Sequence, residues 1–326
     1  MAIHQLWDNY PTIQQELIAT QSIMERSVKI RNKEMTEALQ LFFKSGGKLL
    51  RPAYFLLFSQ FGQVPSEKSK YQLAASLEIL HTATLIHDDI IDESPVRRNL
   101  PSIQAVYGKD IAVYAGDFLF TVYFQLIASS TDDMKALETN AAYMKKILVG
   151  ELDQMHLRYN PNITIKQYLQ HIRGKTAQLF QLSCYQGAHF SNASKSVQLL
   201  AQRIGYHIGM AFQILDDVLD FSSTTEELQK PVLEDIRNGY YTLPLIYAMT
   251  QKPQEFKVLL QPDQDVTTEQ LQDILRLIQQ TDGVGYATKL AERYTNKALK
   301  DIQRLPDIEA KFILQTITEQ LLTRKN

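Results

Sequence analysis

The chain has 326 residues, of which 44% are hydrophobic and 21% are charged, a composition typical of a globular protein with a sizeable core. Its formal net charge of −2 excludes the broad positive field with which proteins attract nucleic acid or anionic membranes. The single cysteine, Cys184, excludes an internal disulfide and is typical of a reducing compartment. The first residues lack the basic-then-apolar order of a signal peptide, and no run of 18 apolar residues is present. We therefore expect a cytoplasmic protein without a transmembrane segment.

Prolines separate the chain into segments whose apolar residues recur with helical spacing, and we find no convincing alternation of the strand type. Two capping boxes, Thr164 with Gln167 and Thr267 with Gln270, predict helix starts. There is no low-complexity linker, repeat or sharp change in composition, so we predict one all-α domain over residues 1–326. The predicted helices lie near residues 10–25, 32–44, 49–61, 67–93, 101–107, 110–130, 133–158, 165–189, 194–221, 240–250, 267–281 and 283–303, with a last one to about 323.

The most apolar of the long helices, predicted over 67–93, ends in three aspartates. Asp88 and Asp92 lie one turn apart on the same helix face, and Asp89 lies about 100° to the side. Like charges at this spacing repel each other, and partial burial increases that cost unless a cation lies between them. Oxygen ligands favour a hard cation, and Mg²⁺ usually takes one or two carboxylates together with substrate phosphates. On its own, such a triplet equally fits a solvated acidic helix end.

A second aspartate triplet with the same spacing favours the metal-binding interpretation. The apolar helix predicted over 194–221 ends in Asp216, Asp217 and Asp220. We call these residues the second triplet, and residues 88, 89 and 92 the first triplet. Four-helix bundles build metal sites from facing helices, so two buried helices of this kind predict one deep central cavity with a triplet on each side of its entrance.

Basic side chains come in two pairs near the first triplet. Lys48 and Arg51 follow two glycines and share the face of a helix start, where free N–H groups can bind an anion. Arg97 and Arg98 follow the triplet by five residues and offer forked donors to a metal-bound phosphate. His81 lies two turns before the triplet on the same face. Each group also has an ordinary explanation, namely a capped surface helix, an ion-pair network and a core histidine.

Three further polar residues lie on the later helices. Lys175 and Thr176 follow Gly174, but no glycine-rich strand turn precedes them, so they do not form a P-loop. Gln213 lies three residues before the second triplet and shares its face. Cys184 has no CxxC partner, and neither GxSxG nor GxGxxG occurs. We therefore expect a cation, a hydroxyl and an amide in the cavity wall.

Acids, cations and a deep apolar cavity together match one kind of ligand, a molecule with a diphosphate head and a hydrocarbon tail. In this interpretation Mg²⁺ bridges the carboxylates to the head, arginines and lysines neutralise the remaining charge, and the tail extends between helices. The favoured chemistry is loss of diphosphate, because Mg²⁺ stabilises the departing charge and a dry cavity shields the cation left behind.

At this point the sequence resembles the trans-polyprenyl diphosphate synthases, the head-to-tail prenyltransferases. Two aspartate triplets joined by many ordered segments are a specific signal, and the match covers residues 46–244 in the family's order. The resemblance implies an all-α bundle of the isoprenoid-synthase type around a deep central cavity. The matching segments are Gly46 to Pro52, His81, Leu85 to Glu93, Arg97-Arg98, Tyr114 to Asp117, Gly174 to Thr176, Phe212 to Asp220, Lys230-Pro231 and Gly239 to Pro244.

The resemblance also implies a role for each matching residue. The ligands of Mg²⁺ on an allylic diphosphate would be Asp88, Asp89, Asp92, Asp216, Asp217 and Asp220. The side chains that contact the allylic diphosphate or the developing cation would be Arg97, Lys175, Thr176, Gln213 and Lys230. The side chains that bind isopentenyl diphosphate would be Lys48, Arg51, His81 and Arg98. The predicted catalytic group is Asp88, Asp216, Lys175, Thr176 and Gln213.

The reaction implied by the resemblance lengthens an isoprenoid chain. The allylic C–O bond ionises, the isopentenyl double bond attacks the cation, and loss of a proton gives a product one C5 unit longer. Three positions depart from the family pattern, because the expected basic residue and two glycines are Leu49, Asn99 and Leu233. All three lie at the rim or on a lid loop rather than among the acids, so we expect catalysis to survive.

The residues one turn before the first triplet bear on product length. Thr84 and Ala83 lie about 5–7 Å deeper than Asp88 along the helix. In the family's short-chain members a bulky aromatic residue there stops the growing chain early. These small residues leave the path open, so we expect a geranylgeranyl or longer product. The next turns present Leu80 and then Leu77, and Tyr123 and Phe124 on the neighbouring helix offer a floor, so the product length stays open.

Other classes of protein remain open at this stage. A class I terpene cyclase also uses helices and an acid triplet, but its second metal motif normally mixes Asn or Asp with Ser or Thr and Glu. An HD-type phosphohydrolase needs further histidines and aspartates, whereas only His87-Asp88 has that pairing. Two intact triplets disfavour an inactive subunit, but the catalytic half of a two-component synthase with a small partner subunit stays an alternative. The resemblance implies a homodimer.

Overall fold

The computed structural model describes residues 3–45, 47–221, 234–261 and 266–322. Its contacts divide the chain into two compact units, each assembled from three separate segments. Unit 1 comprises Met1–Ala141, Leu182–Ala201 and Pro306–Lys311, and unit 2 comprises Ala142–Gln181, Gln202–Leu305 and Phe312–Asn326. The prediction of a single domain stays a prediction. Four residues singled out above lie outside the described residues, namely Gly46, Lys230, Pro231 and Leu233.

Helices account for nearly all of the regular structure in the described part of the chain, as the sequence predicts. The first seven are α1 (Pro11–Ser27), α2 (Lys33–Lys44), α3 (Leu50–Ser59), α4 (Glu67–Ile91), α5 (Ile103–Tyr107), α6 (Lys109–Ala128) and α7 (Met134–Leu157). The others are α8 (Ile165–Ile172), α9 (Gln178–Phe190), α10 (Lys195–Leu219), α11 (Glu234–Arg237), α12 (Leu243–Gln251), α13 (Pro253–Leu259), α14 (Thr268–Gln280), α15 (Gly283–Gln303) and α16 (Glu309–Leu322).

The differences from the predicted helices are all short elements. The helix predicted over 165–189 is interrupted by a π-helical turn, Arg173–Ala177, which we call the π turn. A 3₁₀ turn, Gln5–Trp7, precedes α1, and a hairpin of β1 (Val96–Arg97) and β2 (Leu100–Pro101) follows α4. These elements and the short helices α11 and α13 were not predicted, because so few residues show no apolar periodicity. The other predicted helices are confirmed, with ends that shift by a few residues.

In unit 1, α4 is buried along nearly its whole length, as its composition predicts. Ser66 caps its start by accepting a hydrogen bond from the backbone N–H of Ser69. The helix packs against α1, α3 and α6, which cover its apolar surface. Burying a leucine such as Leu77 or Leu80 contributes about 1.5–3 kcal/mol, so this packing is a large part of what holds the first triplet in place.

α4 and α6 run antiparallel and in close contact. His87 stacks on Phe120 with ring centroids 5.2 Å apart, and a Cβ added at Gly116 would lie 2.3 Å from the His87 ring. Gly116 therefore allows the two helices to approach each other. Towards the other end of α4, Gln72 lies within 3.4 Å of the Ser129 hydroxyl, just past the end of α6.

α6 is also the one described helix whose length and composition would allow it to cross a membrane. A core helix of a protein without a membrane span meets the same test, and α6 packs along α4. No other helix in the described part of the chain meets it.

The hairpin after α4 reverses the chain through a two-residue turn. Arg97 pairs with Leu100, which leaves Arg98 and Asn99 at the turn. Their φ angles are 52° and 62°, and a type I′ turn requires positive φ at both positions. Asparagine tolerates this conformation well, which explains how Asn99 replaces the glycine of the family pattern.

The core of unit 2 includes side chains from α8, α10, α12, α14 and α15. Both predicted capping boxes are present, at the starts of α8 and α14. In each box the threonine and the glutamine satisfy two backbone N–H groups that the helix leaves open. The box at α8 fixes the helix that carries Tyr168 into the core, next to the end of α10.

Candidate active site

The first triplet, at the C-terminal end of α4, has one buried acid and two that solvent reaches. Asp89 is 1% exposed, whereas Asp88 and Asp92 are half-buried. Asp89 Oδ1 accepts hydrogen bonds from Arg97 Nε and Nη2, at 2.8 and 2.5 Å. Burial raises the pKa of Asp89, the bond from Arg97 lowers it, and the neighbouring Asp88 and Asp92 raise it. Asp89 is thus a buried acid that is held in place by a cationic partner, Arg97.

The turn between β1 and β2 places Arg98 in different surroundings from Arg97. The Arg98 guanidinium lies over the Phe42 ring, 5.7 Å from its centroid. A Cβ added at Gly47 would come within 3.1 Å of the same guanidinium, so glycine allows this loop to approach it. One arginine therefore secures the first triplet, and the other reaches the loop that carries Lys48.

Lys48 lies in that loop, just before α3. Its backbone carbonyl accepts a hydrogen bond of 2.7 Å from the indole Nε1–H of Trp7, which is fully buried. The next residue, Leu49, has φ 46° and ψ 40°, a left-handed conformation that costs a non-glycine residue about 1–3 kcal/mol. The buried indole helps to hold this strained loop in one conformation.

His81 lies among the predicted cations of unit 1. Burial lowers the pKa of His81 well below its usual range, and the charges of Arg51, Arg98 and Arg97 lower it further. The ring is therefore neutral at neutral pH, with one donor and one acceptor nitrogen. Burial lowers the pKa of Arg51 to about 10, Glu78 raises it and Arg98 lowers it. The structure thus brings three predicted cations of unit 1, Arg51, Arg97 and Arg98, together around one neutral histidine.

The second triplet, at the end of α10, repeats the division between buried and exposed acids. Asp217 is 6% exposed, and the outer two acids are exposed. Asp217 Oδ2 accepts a hydrogen bond of 2.5 Å from the Tyr168 hydroxyl, and its Oδ1 accepts one of 2.8 Å from Gln213 Nε2. Burial raises the pKa of Asp217 to about 8, these two bonds lower it, and Asp235 and Asp216 raise it.

Lys175 and Thr176 lie on the π turn, a kind of helix distortion that is frequent at functional sites. Lys175 Nζ lies 2.7 Å from Gln154 Oε1 and 3.3 Å from Glu151 Oε2, both on α7. The Thr176 hydroxyl donates a hydrogen bond of 2.6 Å to Gln213 Oε1. Gln213 therefore links the π turn to the second triplet, and the predicted site residues of unit 2 that the structure describes lie together.

The outer acids have the chemistry that Mg²⁺ prefers. Carboxylate oxygens are hard ligands, and one or two of them suffice where substrate phosphates complete the coordination. Among the described residues, no three His, Cys, Asp or Glu side chains form a metal site of their own. Two outer carboxylates in each triplet fit an ion whose remaining ligands come from elsewhere. The prediction that all six aspartates are ligands stays a prediction, and in this structure Asp89 and Asp217 are bonded to protein donors.

Three buried partners of the site are not predicted by the motifs. Trp7, the partner of the Lys48 carbonyl, is the chain's one tryptophan. Glu78, which faces Arg51, is one of two strongly polar residues on the apolar part of its helix. Either fact was a signal that these residues needed a partner. Tyr168 gave no such signal, because nothing in the sequence connects it to Asp217, 49 residues away.

Comparison with known proteins agrees with this geometry. The polyprenyl synthetase family matches residues 32–279. The chain belongs to this family of prenyltransferases, which confirms the resemblance inferred from the motifs.

The relatives span nearly the whole chain. Heptaprenyl diphosphate synthase component 2 of Bacillus subtilis (strain 168) is 34% identical over 325 residues, which are 100% of this chain and 90% of that protein. The crystal structure of geranylgeranyl pyrophosphate synthase from Lactobacillus brevis ATCC 367 has a TM-score of 0.95 at 46% identity and covers 98% of this chain and 99% of its own. For heptaprenyl diphosphate synthase from Staphylococcus aureus the TM-score is 0.89 at 33% identity, covering 96% and 99%. The predicted all-α fold is confirmed by these structures.

Proposed function

We propose that this protein joins an allylic diphosphate to isopentenyl diphosphate, head to tail, and releases an all-trans polyprenyl diphosphate one C5 unit longer. The observation that carries the proposal is the arrangement at the ends of α4 and α10, where two acids reached by solvent accompany a buried third. Acids of this kind suit Mg²⁺ bound to a diphosphate leaving group. Membership of the family supports the same class of reaction.

The side chains of unit 1 bind isopentenyl diphosphate in this proposal. Lys48, Arg51 and Arg98 neutralise its charge, and a neutral His81 donates a hydrogen bond to a phosphate oxygen. The charges of three arginines lower the pKa of His81, which shows that positive charge is concentrated here. Such a concentration suits a diphosphate group and supports this assignment. Arg97, held by Asp89, contacts the allylic diphosphate.

The side chains of unit 2 act on the allylic substrate. Lys175 contacts its diphosphate, while Thr176 and Gln213 face the carbon from which the diphosphate departs. Asp88 and Asp92 in unit 1, and Asp216 and Asp220 in unit 2, are the proposed ligands of Mg²⁺, which when bound would stabilise the charge on the leaving diphosphate. The isopentenyl double bond attacks the allylic cation, and the proton lost in forming the new double bond passes to the released diphosphate. Lys230 stays a predicted contact outside the described residues.

Incubation of the purified full chain with farnesyl diphosphate, isopentenyl diphosphate and Mg²⁺ tests this reaction, with products identified by mass spectrometry. We expect linear diphosphates longer than the primer, and no product after Mg²⁺ is removed by a chelator. A cyclic hydrocarbon would identify a terpene cyclase instead. A chain that converts neither substrate, alone or with a partner subunit, would contradict the proposal.

The name of the Bacillus subtilis relative favours a second candidate, because that protein is component 2 of its synthase. In this case the chain gives no elongated product until a small second subunit is added. The Lactobacillus brevis geranylgeranyl pyrophosphate synthase, at 46% identity, is named without a component. We therefore place the enzyme that acts without a second component first.

The packing of α4 against α6 supports a geranylgeranyl or longer product. His87 of α4 contacts Gly116 of α6, and the two helices run antiparallel. Leu80, seven residues before His87, therefore lies level with Tyr123, seven residues after Gly116. Tyr123 is fully buried and donates a hydrogen bond of 2.9 Å to Asn140 Oδ1, also buried. In this proposal the bonded pair is the floor of a path along α4, about 12 Å below the first triplet, which is about 5 Å deeper than residue 83 and so admits a longer tail than a bulky residue at 83 would.

Substitution of Ala83 tests this path. Ala83→Phe should shorten the products, because a phenyl ring would fill the path about 7 Å below Asp88. The chain-length distribution is measured by mass spectrometry, with Ala128→Phe at the exposed end of α6 as the control that should leave it unchanged. Products of unaltered length from Ala83→Phe would mean that the tail does not pass residue 83.

Exposed apolar side chains support the homodimer implied by the family. In unit 1, Ile111 and Tyr114 of α6 are 46% and 76% exposed. In unit 2, Leu148, Leu152 and Met155 form a stripe on α7 at helical spacing, and Leu152 is 64% exposed. Exposed apolar patches of this kind mark protein contacts. Light scattering coupled to size exclusion should give twice the chain mass, and a monomer mass at micromolar concentration would rule the dimer out.

A further inference from the structure

A line of hydrogen bonds connects the π turn to α8 through the second triplet. The Thr176 hydroxyl donates to Gln213 Oε1 at 2.6 Å, and Gln213 Nε2 donates to Asp217 Oδ1 at 2.8 Å. The Tyr168 hydroxyl donates to Asp217 Oδ2 at 2.5 Å. Three of these side chains are almost fully buried, with exposures of 6% for Thr176, 6% for Asp217 and 1% for Tyr168. Side chains from three separate elements thus form one network.

The donors and acceptors of this network have one consistent order. Asp217 Oδ1 accepts, so the amide of Gln213 turns its N–H side toward it and its oxygen toward Thr176. When Asp217 is protonated on Oδ2, it donates that proton to the Tyr168 oxygen while Oδ1 still accepts from Gln213, so the order is unchanged. Thr176 must then donate its single hydroxyl proton to Gln213, which leaves only lone pairs for any further contact. Asp217, which does not contact Thr176, therefore sets the orientation of the Thr176 hydroxyl through Gln213.

We infer that Tyr168 is a positioning residue for prenyl transfer, acting through Asp217 and Gln213 to hold the lone pairs of Thr176 toward the allylic cation. The inference rests on the proposed function, in which Thr176 and Gln213 face the reacting carbon. An oxygen lone pair stabilises a positive charge nearby, whereas an O–H group pointing the same way repels it. Without the Tyr168 hydroxyl, Asp217 loses one of its two donors and is free to rotate away from Gln213.

Tyr168→Phe removes the hydroxyl and keeps the buried ring. We expect kcat to fall about tenfold, the effect of one moderate hydrogen bond lost from the transition state. The KM for isopentenyl diphosphate should stay unchanged, because the residues proposed to bind it belong to unit 1.

Tyr143→Phe is the matched control. Tyr143 is 5% exposed, belongs to the same unit, and accepts a hydrogen bond of 3.2 Å from Gln202 Nε2. Gln202 lies about 22 Å along α10 from Asp217. This variant should lose a similar amount of thermal stability and keep its kcat. An equal fall in kcat in both variants would overturn the inference.

Gln213→Leu tests the route of the effect. If Tyr168 acts through Gln213, adding Tyr168→Phe to Gln213→Leu should lower kcat much less than tenfold. A double variant in which the two losses multiply would show that Tyr168 acts by another route, and the inference would fall.

A readout that does not depend on activity separates this inference from the proposed function. The side-chain amide protons of Gln213, assigned in NMR spectra of the full chain by their loss in Gln213→Leu, should exchange slowly in the wild type and in Tyr143→Phe. They should exchange faster in Tyr168→Phe. If that difference is present but the wild type elongates no primer, the network stands and the proposed function fails. Equal exchange in the wild type and Tyr168→Phe overturns the positioning role whatever the activity.

Discussion

The ends of α4 and α10 carry aspartates at the same spacing but secure the middle acid in different ways. In unit 1 the buried Asp89 is bonded by Arg97, a cation whose side chain is 31% exposed. In unit 2 the buried Asp217 is bonded by two neutral groups, the Tyr168 hydroxyl and the Gln213 amide. Burial raises the pKa of both acids, and with neutral partners that of Asp217 reaches about 8.

The comparison shows that spacing decides which acid is buried but not how it is neutralised. On a helix the second acid lies about 100° from the first and about 60° from the third, so it turns inward when they turn outward. Its partner comes from elsewhere in the chain. For Asp89 that partner is Arg97, eight residues later, and for Asp217 it is Tyr168, 49 residues earlier.

The largest expected effect comes from the outer acids, which the proposed function assigns to the metal in both units. Asp88→Ala and Asp216→Ala should each lower kcat by about 10³-fold or more, because each loses a ligand for the ion on the leaving diphosphate. Both acids are reached by solvent, so the midpoint of thermal unfolding should change little. The measurement is steady-state kinetics with farnesyl diphosphate.

The double variant sharpens this prediction. If both triplets serve one diphosphate, Asp88→Ala combined with Asp216→Ala should lose far less than the product of the two single effects, since residues that act as a unit are not additive. Two losses that multiply would mean that the triplets act independently.

A smaller effect is expected from the cationic partner that only the first triplet has. Arg97→Ala leaves Asp89 buried without its cation, so the free energy of unfolding should fall by about 2–4 kcal/mol. Arg98→Ala removes the contacts with the Phe42 ring and with the loop at Gly47, and should cost about 1 kcal/mol or less. Urea unfolding measures both. Adding Asp89→Asn to Arg97→Ala should recover part of the loss, whereas equal losses for the two arginines would contradict the assignment.

The smallest expected effect is a pH dependence that is clearest at the second triplet, where the buried acid has no cationic partner. The pKa of Asp217 in the fold is about 8, above its ordinary value of 3.8, because the carboxyl is buried. Between these values the folded chain holds a proton that the unfolded chain has released. This contribution to stability is therefore complete below pH 3.8 and is lost as the pH rises through about 8.

Thermal unfolding without Mg²⁺ measures that dependence. From about pH 6 to pH 8.5 the Tm of the wild type should fall more steeply than that of Asp217→Asn, which has no proton to release. Asp273→Asn, at an acid that is 48% exposed in the same unit, should keep the slope of the wild type. Parallel slopes for all three proteins would mean that Asp217 titrates as an ordinary surface acid.

Much of the site could be predicted because it lies on long helices. Helical spacing alone aligns His81 with Asp88 on α4 and Gln213 with Asp216 on α10, and both helices are confirmed. The turn at Arg98 and the π turn could not be predicted in this way. Each involves few residues and no periodicity. Each sets the direction of side chains that the sequence had already indicated, namely Arg98 in the hairpin and Lys175 and Thr176 in the π turn.

The sequence by itself determined the family, the all-α class and the presence of acids and cations at helix ends, because periodicity and motif order are local properties of a chain. Only the tertiary structure decided which side chains bond to the buried acids. Asp89 accepts hydrogen bonds from Arg97, and Asp217 accepts one from Tyr168. The backbone carbonyl of Lys48 accepts one from the Trp7 indole, 41 residues earlier. The reason is physical: a buried polar group needs a partner, and the fold supplies that partner from segments that the sequence leaves apart.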